Sequence, residues 1–148
     1  MTRDQIKANL TDKAYEIIAL AESIYNVKLS YTQIEFDLTG KTAGWALVRD
    51  FRLFIRLNLD AAEDHYDVMM NEVVPHEIAH LVNYVKPSTG RHHNKGWRDV
   101  CQTLGGNGER CHTMDLKTAR KTRKYLYQVD GQVVVVGGIR HKRLKCWR

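Results

Sequence analysis

The sequence predicts an α+β fold, on three observations. Apolar residues recur every three or four positions over residues 4–26, alternate with polar ones between about 34 and 57, and regain the helical period from Asp67 to Val85. Turn-forming segments separate these stretches. A chain of 148 residues, 43% of them hydrophobic, is long enough for one domain with a real core.

The first helix is marked by Ile6, Leu10, Ala14, Ile17, Ile18, Ala21 and Ile24. Three short strands should follow as a small antiparallel sheet. Ile34, Phe36 and Leu38 mark the first, Trp45–Val48 the second, and Arg52–Leu57 the third after a tight Arg49-Asp50 connection. In the third strand Leu53, Ile55 and Leu57 point one way, with Arg52 and Arg56 on an exposed face. The next helix contains Pro75, which is tolerated only near a helix start or at a kink. It ends at Lys86-Pro87-Ser88-Thr89-Gly90, and a supporting helix runs from Lys95 to Leu104. Tyr125–Val129 and Gln132–Val136, joined at Asp130-Gly131, predict a hairpin. Trp45 and Trp97 read as core anchors.

Charge divides the chain. Residues 1–116 hold 13 Lys/Arg against 16 Asp/Glu, a net −3, whereas residues 117–148 hold 10 against one, a net +9. We therefore expect a domain over 1–116 and a basic tail over 117–148. No apolar run reaches the roughly 18 residues of a membrane span. The first twenty residues mix acids into their apolar pattern, unlike a signal peptide. A cytoplasmic monomer with no membrane partner is expected. Cys101, Cys111 and Cys146 are odd in number and lack CxxC spacing, so free thiols are expected.

The chemistry lies in His76-Glu77-Ile78-Ala79-His80, an HExxH pattern. Four residues is just over one helical turn, so both imidazoles leave the same face and can converge on one ion. Glu77 sits beside them as a general base for a zinc-activated water. A catalytic zinc takes a third protein ligand. The segment after the helix lets the chain turn back, which offers His92 and His93, and spacing does not choose between them. His112 lies further on and reads as structural or cleft-lining, while His65 and His141 have no evident metal role.

Further motifs carry a resemblance. Thr42-Ala43-Gly44-Trp45-Ala46, Ile55-Arg56-Leu57-Asn58, Val74-Pro75-His76-Glu77-Ile78-Ala79-His80-Leu81 and His93-Asn94-Lys95-Gly96-Trp97 occur in that order. They resemble the SprT family, a zincin group that includes the Spartan-type proteases acting on DNA–protein crosslinks. The resemblance implies a zincin-like metallopeptidase domain holding one Zn2+ ion. Aligned through Trp97, it implies that His76, His80 and His93 are the ligands and Glu77 the catalytic base. Two positions depart from the pattern: Asn94 replaces a glycine, and Gly96 an acidic residue. Many bacterial members finish with a four-cysteine zinc ribbon. Here no cysteine stands near Tyr127–Asp130, so the tail resembles a degenerate ribbon without its metal.

The tail's Lys117, Arg120, Lys121, Arg123, Lys124, Arg140, Lys142, Arg143 and Lys145 lie among Tyr125, Tyr127 and Trp147. Basic and aromatic side chains interleaved in this way suit phosphates and stacked bases, which implies DNA, single strands favoured. The expected function is peptide-bond hydrolysis on DNA-associated protein substrates. The alternative is a nucleic-acid-binding protein whose zinc is structural and which has no peptidase activity.

Overall fold

A computed structural model describes residues 1–116 and the backbone of two strands, 125–129 and 132–136. By its contacts the chain divides into two compact units, Met1–Thr118 and Ala119–Arg148. The first has the α+β architecture that the periodicities predict.

Helix α1 (Arg3–Tyr25) starts at a capping box. The Thr2 hydroxyl accepts from the Gln5 amide at 3.2 Å, and the Gln5 side chain accepts from the Thr2 amide at 2.8 Å. The helix buries Ile6, Leu10, Ala14, Ile17, Ile18 and Ala21, while Ile24, beyond the core, is 47% exposed. It closes at Asn26, whose left-handed backbone (φ 52°) ends the helix in the manner of a C-terminal asparagine.

Strands β1 (Gln33–Leu38), β2 (Gly44–Arg49) and β3 (Arg52–Asn58) form one sheet in the order β1-β3-β2. The all-antiparallel expectation fails here. β2 and β3 are antiparallel, but β1 runs parallel to β3. Alternation reports which face a strand buries and says nothing of its neighbour's direction. β3 carries the fully buried Ile55 and Leu57 and takes the centre, which separates β1 from β2. The β2–β3 turn also shifts by one residue. Arg49 pairs with Arg52, so Asp50 and Phe51 form the two-residue loop, both with positive φ. Trp45 is not a core anchor. It lies on the outward sheet face, 51% exposed, with the Arg56 guanidinium 5.1 Å from its ring centre. Arg52 is exposed as expected, and Arg56 is half-buried by Trp45 and by Asp37, whose carboxylate lies 2.9 Å away.

The short helix α2 (Leu59–Asp64) was not foreseen. Asn58 caps it by accepting from the Ala61 amide, and its own amide group donates to the Gly40 and Thr42 carbonyls. This buried side chain ties the β1–β2 connection to the end of β3. A helical stretch follows without a break: α3 (Tyr66–Val68), a π-helical turn (Met69–Val73) and α4 (Val74–Val85). α1 packs on α4, and α4 runs beside β2. Helix α5 (Lys95–Thr103) packs on α4 and buries Trp97, Val100 and Cys101.

The second unit contains β4 (Tyr125–Val129) and β5 (Gln132–Val136), paired antiparallel from Tyr125↔Val136 to Val129↔Gln132. Their pairing is the hairpin that the sequence predicts. Among the described residues, no helix is long and apolar enough to cross a membrane.

Candidate metal centre

The π-helical turn explains how Pro75 fits. It ends with the Val74 amide bonded to the Met69 carbonyl, one residue further back than in an α-helix. Pro75 follows directly in this unbroken helical backbone, so the widened π-helical turn just before it is where the helix accommodates a residue without an N–H. From that start, α4 buries Val74, Ile78, Ala79, Leu81 and Val82. The opposite side presents His76 and His80 to a cleft.

The third histidine returns through a pinned reversal. The Asn83 side chain on α4 donates to the Thr89 hydroxyl at 2.9 Å, which holds the Pro87–Thr89 turn against the helix. His92 and His93 both adopt left-handed backbone angles, φ 49° and 57°. Asn94 then caps α5, its carbonyl accepting from the Trp97 amide at 3.0 Å and the Arg91 amide at 3.1 Å. That capping role accounts for asparagine at this position. His93 reaches the α4 histidines, whereas His92 points to an exposed position.

The three Nε2 atoms form a nearly equilateral triangle: His76–His80 3.2 Å, His80–His93 2.9 Å and His76–His93 3.1 Å. Three nitrogens cannot satisfy one another as a closed ring of hydrogen bonds unless each ring both donates and accepts through one atom. The spacing instead approaches the roughly 3.3 Å between nitrogens bound tetrahedrally at about 2.0–2.1 Å. Burial, followed by the charges of neighbouring histidines, pushes His76 down to about 4 and His80 to about 3. His93 is lowered by burial and by Arg110. At neutral pH the rings are therefore uncharged and offer lone pairs, as metal ligands must. Trp97, fully buried on α5, walls the triangle. Its ring centre lies 4.6 Å from His76 and from His93, both edge-on, and 5.4 Å from His80. The expectation for Trp97 holds, and it buttresses the ligands as well as the core.

Glu77 is buried beside the triangle at 6% exposure. Burial pushes its carboxyl up to about 8, and the Ala46 amide, turned toward it, acts in the opposite sense. This close approach of α4 to β2 requires Gly44. A Cβ there would lie 2.9 Å from Glu77 Cγ, Glu77 Oε1 and Val73 Cγ1. Two turns along α4, the Tyr84 hydroxyl donates to the Ala46 carbonyl at 3.2 Å.

The centre opens into a groove along β2. One side, a cavity of about 270 Å³, is lined by Thr42, Ala43, Glu72, Glu109 and His112, among others. The other, about 650 Å³, is lined by Trp45, Ala46, Tyr84, Arg91 and the ligands themselves. Gly44, His76, Glu77 and Arg110 border both. The His112 ring approaches the Lys41 carbonyl at 3.3 Å, in keeping with a cleft-lining residue.

Residues 14–118 match the SprT-like family. The chain belongs to that family. Among its relatives is Protein SprT of Pasteurella multocida, 28% identical over 142 residues, which cover 95% of this chain and 82% of that protein. Protein SprT of Vibrio parahaemolyticus is 33% identical over 91 residues, 62% of this chain and 54% of the relative. An Escherichia coli Protein SprT is 34% identical over 95 residues, 64% of this chain and 53% of its own. The chain thus spans about half the length of two of these relatives and most of the third. No solved structure matches significantly.

Within this SprT-like domain the structure brings together His76, His80, His93 and Glu77. Among the described residues, these three histidines alone form a group of donors able to hold a metal ion. Cys101 is free and buried, and burial raises its thiol, whereas Cys111 is free and exposed. Lys117, Arg120, Lys121, Arg123, Lys124, Arg140, Lys142, Arg143 and Lys145 lie outside the described residues, as does Cys146. Three contributors escaped the sequence reading: Gly44 as a contact of the base, Tyr84 in the groove and Arg110 between its two sides. The residues around Gly44 gave a signal, because glycine inside a strand marks a close approach.

Proposed function

We propose that this SprT-like chain is a zinc-dependent endopeptidase acting on proteins associated with DNA. The observation that supports it most is the open three-histidine triangle with a buried carboxylate beside it. Among the described residues three donors meet in a groove, an arrangement that suits a catalytic centre better than the closed four-ligand set of a structural zinc.

The residues fit a zinc ion, held by His76, His80 and His93. Such an ion would supply a Lewis acid for the scissile carbonyl and would acidify a water. Burial raises the Glu77 carboxyl in the metal-free protein, and its ionised form would be favoured beside a dication held by the three histidines. As a carboxylate, Glu77 takes a proton from the attacking water and delivers it to the departing amine, two transfers it can make without moving far. The Ala46 amide and the space left by Gly44 set where that carboxylate stands. The free side of edge strand β2 borders the groove, so an extended substrate can add to it by main-chain pairing. Tyr84 stands on the same wall, where its hydroxyl donates to the Ala46 carbonyl and ties α4 to β2.

The DNA association rests on the +9 charge of residues 117–148 and on the aromatics among them. The test is cleavage of a DNA-bound protein with and without single-stranded DNA. Chelation should abolish cleavage, one equivalent of zinc should restore it, and the strand should stimulate it. No cleavage of any protein by the zinc-loaded chain would sink the proposal.

Gly44→Ala probes the positioning of Glu77. The added methyl meets the base and Val73 at 2.9 Å, so one of them must shift. Overpacking of this kind costs about 1–3 kcal/mol of stability, and displacement of a catalytic group by about 1 Å costs roughly 100-fold in rate. The expected variant folds with a lower Tm, binds zinc fully and cleaves about 100-fold more slowly with little change in KM. Full activity would show that the base needs no such clearance.

A further inference from the structure

The β2–β3 hairpin departs from what stabilises a hairpin, three times within four residues. Arg49 and Arg52 are directly opposed, and like charges in that position repel. Neither forms an ion pair with any described residue. Between them Phe51 takes a left-handed backbone, φ 62°, where glycine or asparagine would be unstrained. Its side chain is 99% exposed, so burial returns nothing for that strain. Nothing in the fold requires any of the three, and such local conflicts gather where a partner binds.

We propose that this hairpin is a contact site for single-stranded nucleic acid. Phe51 offers a bare ring for a base to stack on, and two guanidinium groups flank it to hold phosphates. A second platform lies along the same hairpin, where Trp45 is half exposed beneath the Arg56 guanidinium. Strand rise puts the two rings about 15–20 Å apart, a reach of several nucleotides. Arg56 is held by Asp37, and at the tip Arg49 and Arg52 outweigh Asp50 to leave a net +1 that complements a phosphate chain. An anionic membrane would take the tip but would leave the Trp45 platform unused, and a lone Phe is a weak anchor. β2 continues from the tip to the wall of the metal groove, so a strand gripped here lies beside the groove. The inference adds a partner surface to the proposed function, yet it needs neither metal nor cleavage. Binding assays therefore separate its failure from failure of the peptidase reading.

The test uses the full, zinc-loaded chain, with its basic tail intact, and a fluorescent oligothymidylate. Phe51→Gly should weaken single-strand binding about tenfold or more and leave duplex binding unchanged. The same substitution should raise Tm, because glycine suits the turn. The double variant Arg49→Ser with Arg52→Ser should reduce the salt slope of single-strand binding by about 1.4, the value for two lost phosphate contacts. Unchanged oligothymidylate affinity in both variants overturns the proposal. So does an equal loss on duplex, which would remove stacking from the account, or a fall in Tm with Phe51→Gly. Loss of binding to phosphatidylserine vesicles with oligothymidylate binding intact would assign the hairpin to membranes instead.

Discussion

Glu77→Gln should leave zinc bound and reduce peptide cleavage about 1000-fold, within the range for loss of a general base. Glutamine has nearly the shape of glutamate and can still face the Ala46 amide, but it cannot accept the water's proton at neutral pH. Because Glu77 lies outside the ligand triangle, metal content should not change. In the metal-free protein the same change should stabilise the fold. Burial raises the Glu77 carboxyl from its ordinary 4.5 to about 8, so the fold favours the protonated form. Ionising the group therefore works against folding, and the penalty grows as pH rises from about 4.5 to about 8. Metal-free Glu77→Gln should match the wild type near pH 4 and exceed it in Tm by an increasing margin toward pH 8. A margin that shrinks with pH would mean that the folded state stabilises the carboxylate, contrary to its buried position. Cleavage that persists in the zinc-loaded variant would remove Glu77 from the mechanism.

Much of this centre was legible because its parts are local. HExxH lies within two helical turns, and the apolar residues of α4 mark the side that must be buried, so the direction of His76 and His80 follows from helix geometry. The parts that depend on packing were hidden. Trp45 alternates as a strand residue should, but which face is buried depends on where α4 docks, and α4 covers Ala46. The parallel β1–β3 pairing likewise depends on how the chain crosses from β1 past β3 to β2, a long-range choice that local alternation does not encode. The clearance at Gly44 exists only once two distant segments meet. The π-helical turn resolves the awkward placing of Pro75 by a backbone pattern that carries no residue signature of its own.

The distinction between the two adjacent histidines gives the second large effect. His93→Ala should abolish stoichiometric zinc binding, whereas His92→Ala should retain it. Both residues share the left-handed backbone, which alanine tolerates no better than histidine, so neither substitution relieves that strain and it does not distinguish the two variants. Only His93 places a nitrogen within 2.9 Å and 3.1 Å of the other two ligands. Ligand binding stabilises the folded state by about 4 kcal/mol when free zinc is 1000 times its dissociation constant. For a chain of this size that is a rise in Tm of roughly 10 °C. The wild type and His92→Ala should show this zinc-dependent rise, and His93→Ala should show little or none at the same zinc concentration. Without metal, His93→Ala should unfold somewhat below the other two, because it loses the edge-on contact of its ring with the buried Trp97, and the zinc-dependent rise is therefore read against each variant's own metal-free Tm. His92 also contributes to lowering His80 and His93, so its removal should ease protonation of both ligands and move the loss of zinc on acidification to slightly higher pH. A zinc-dependent rise that survives His93→Ala but disappears in His92→Ala would exchange the two roles and overturn the triangle.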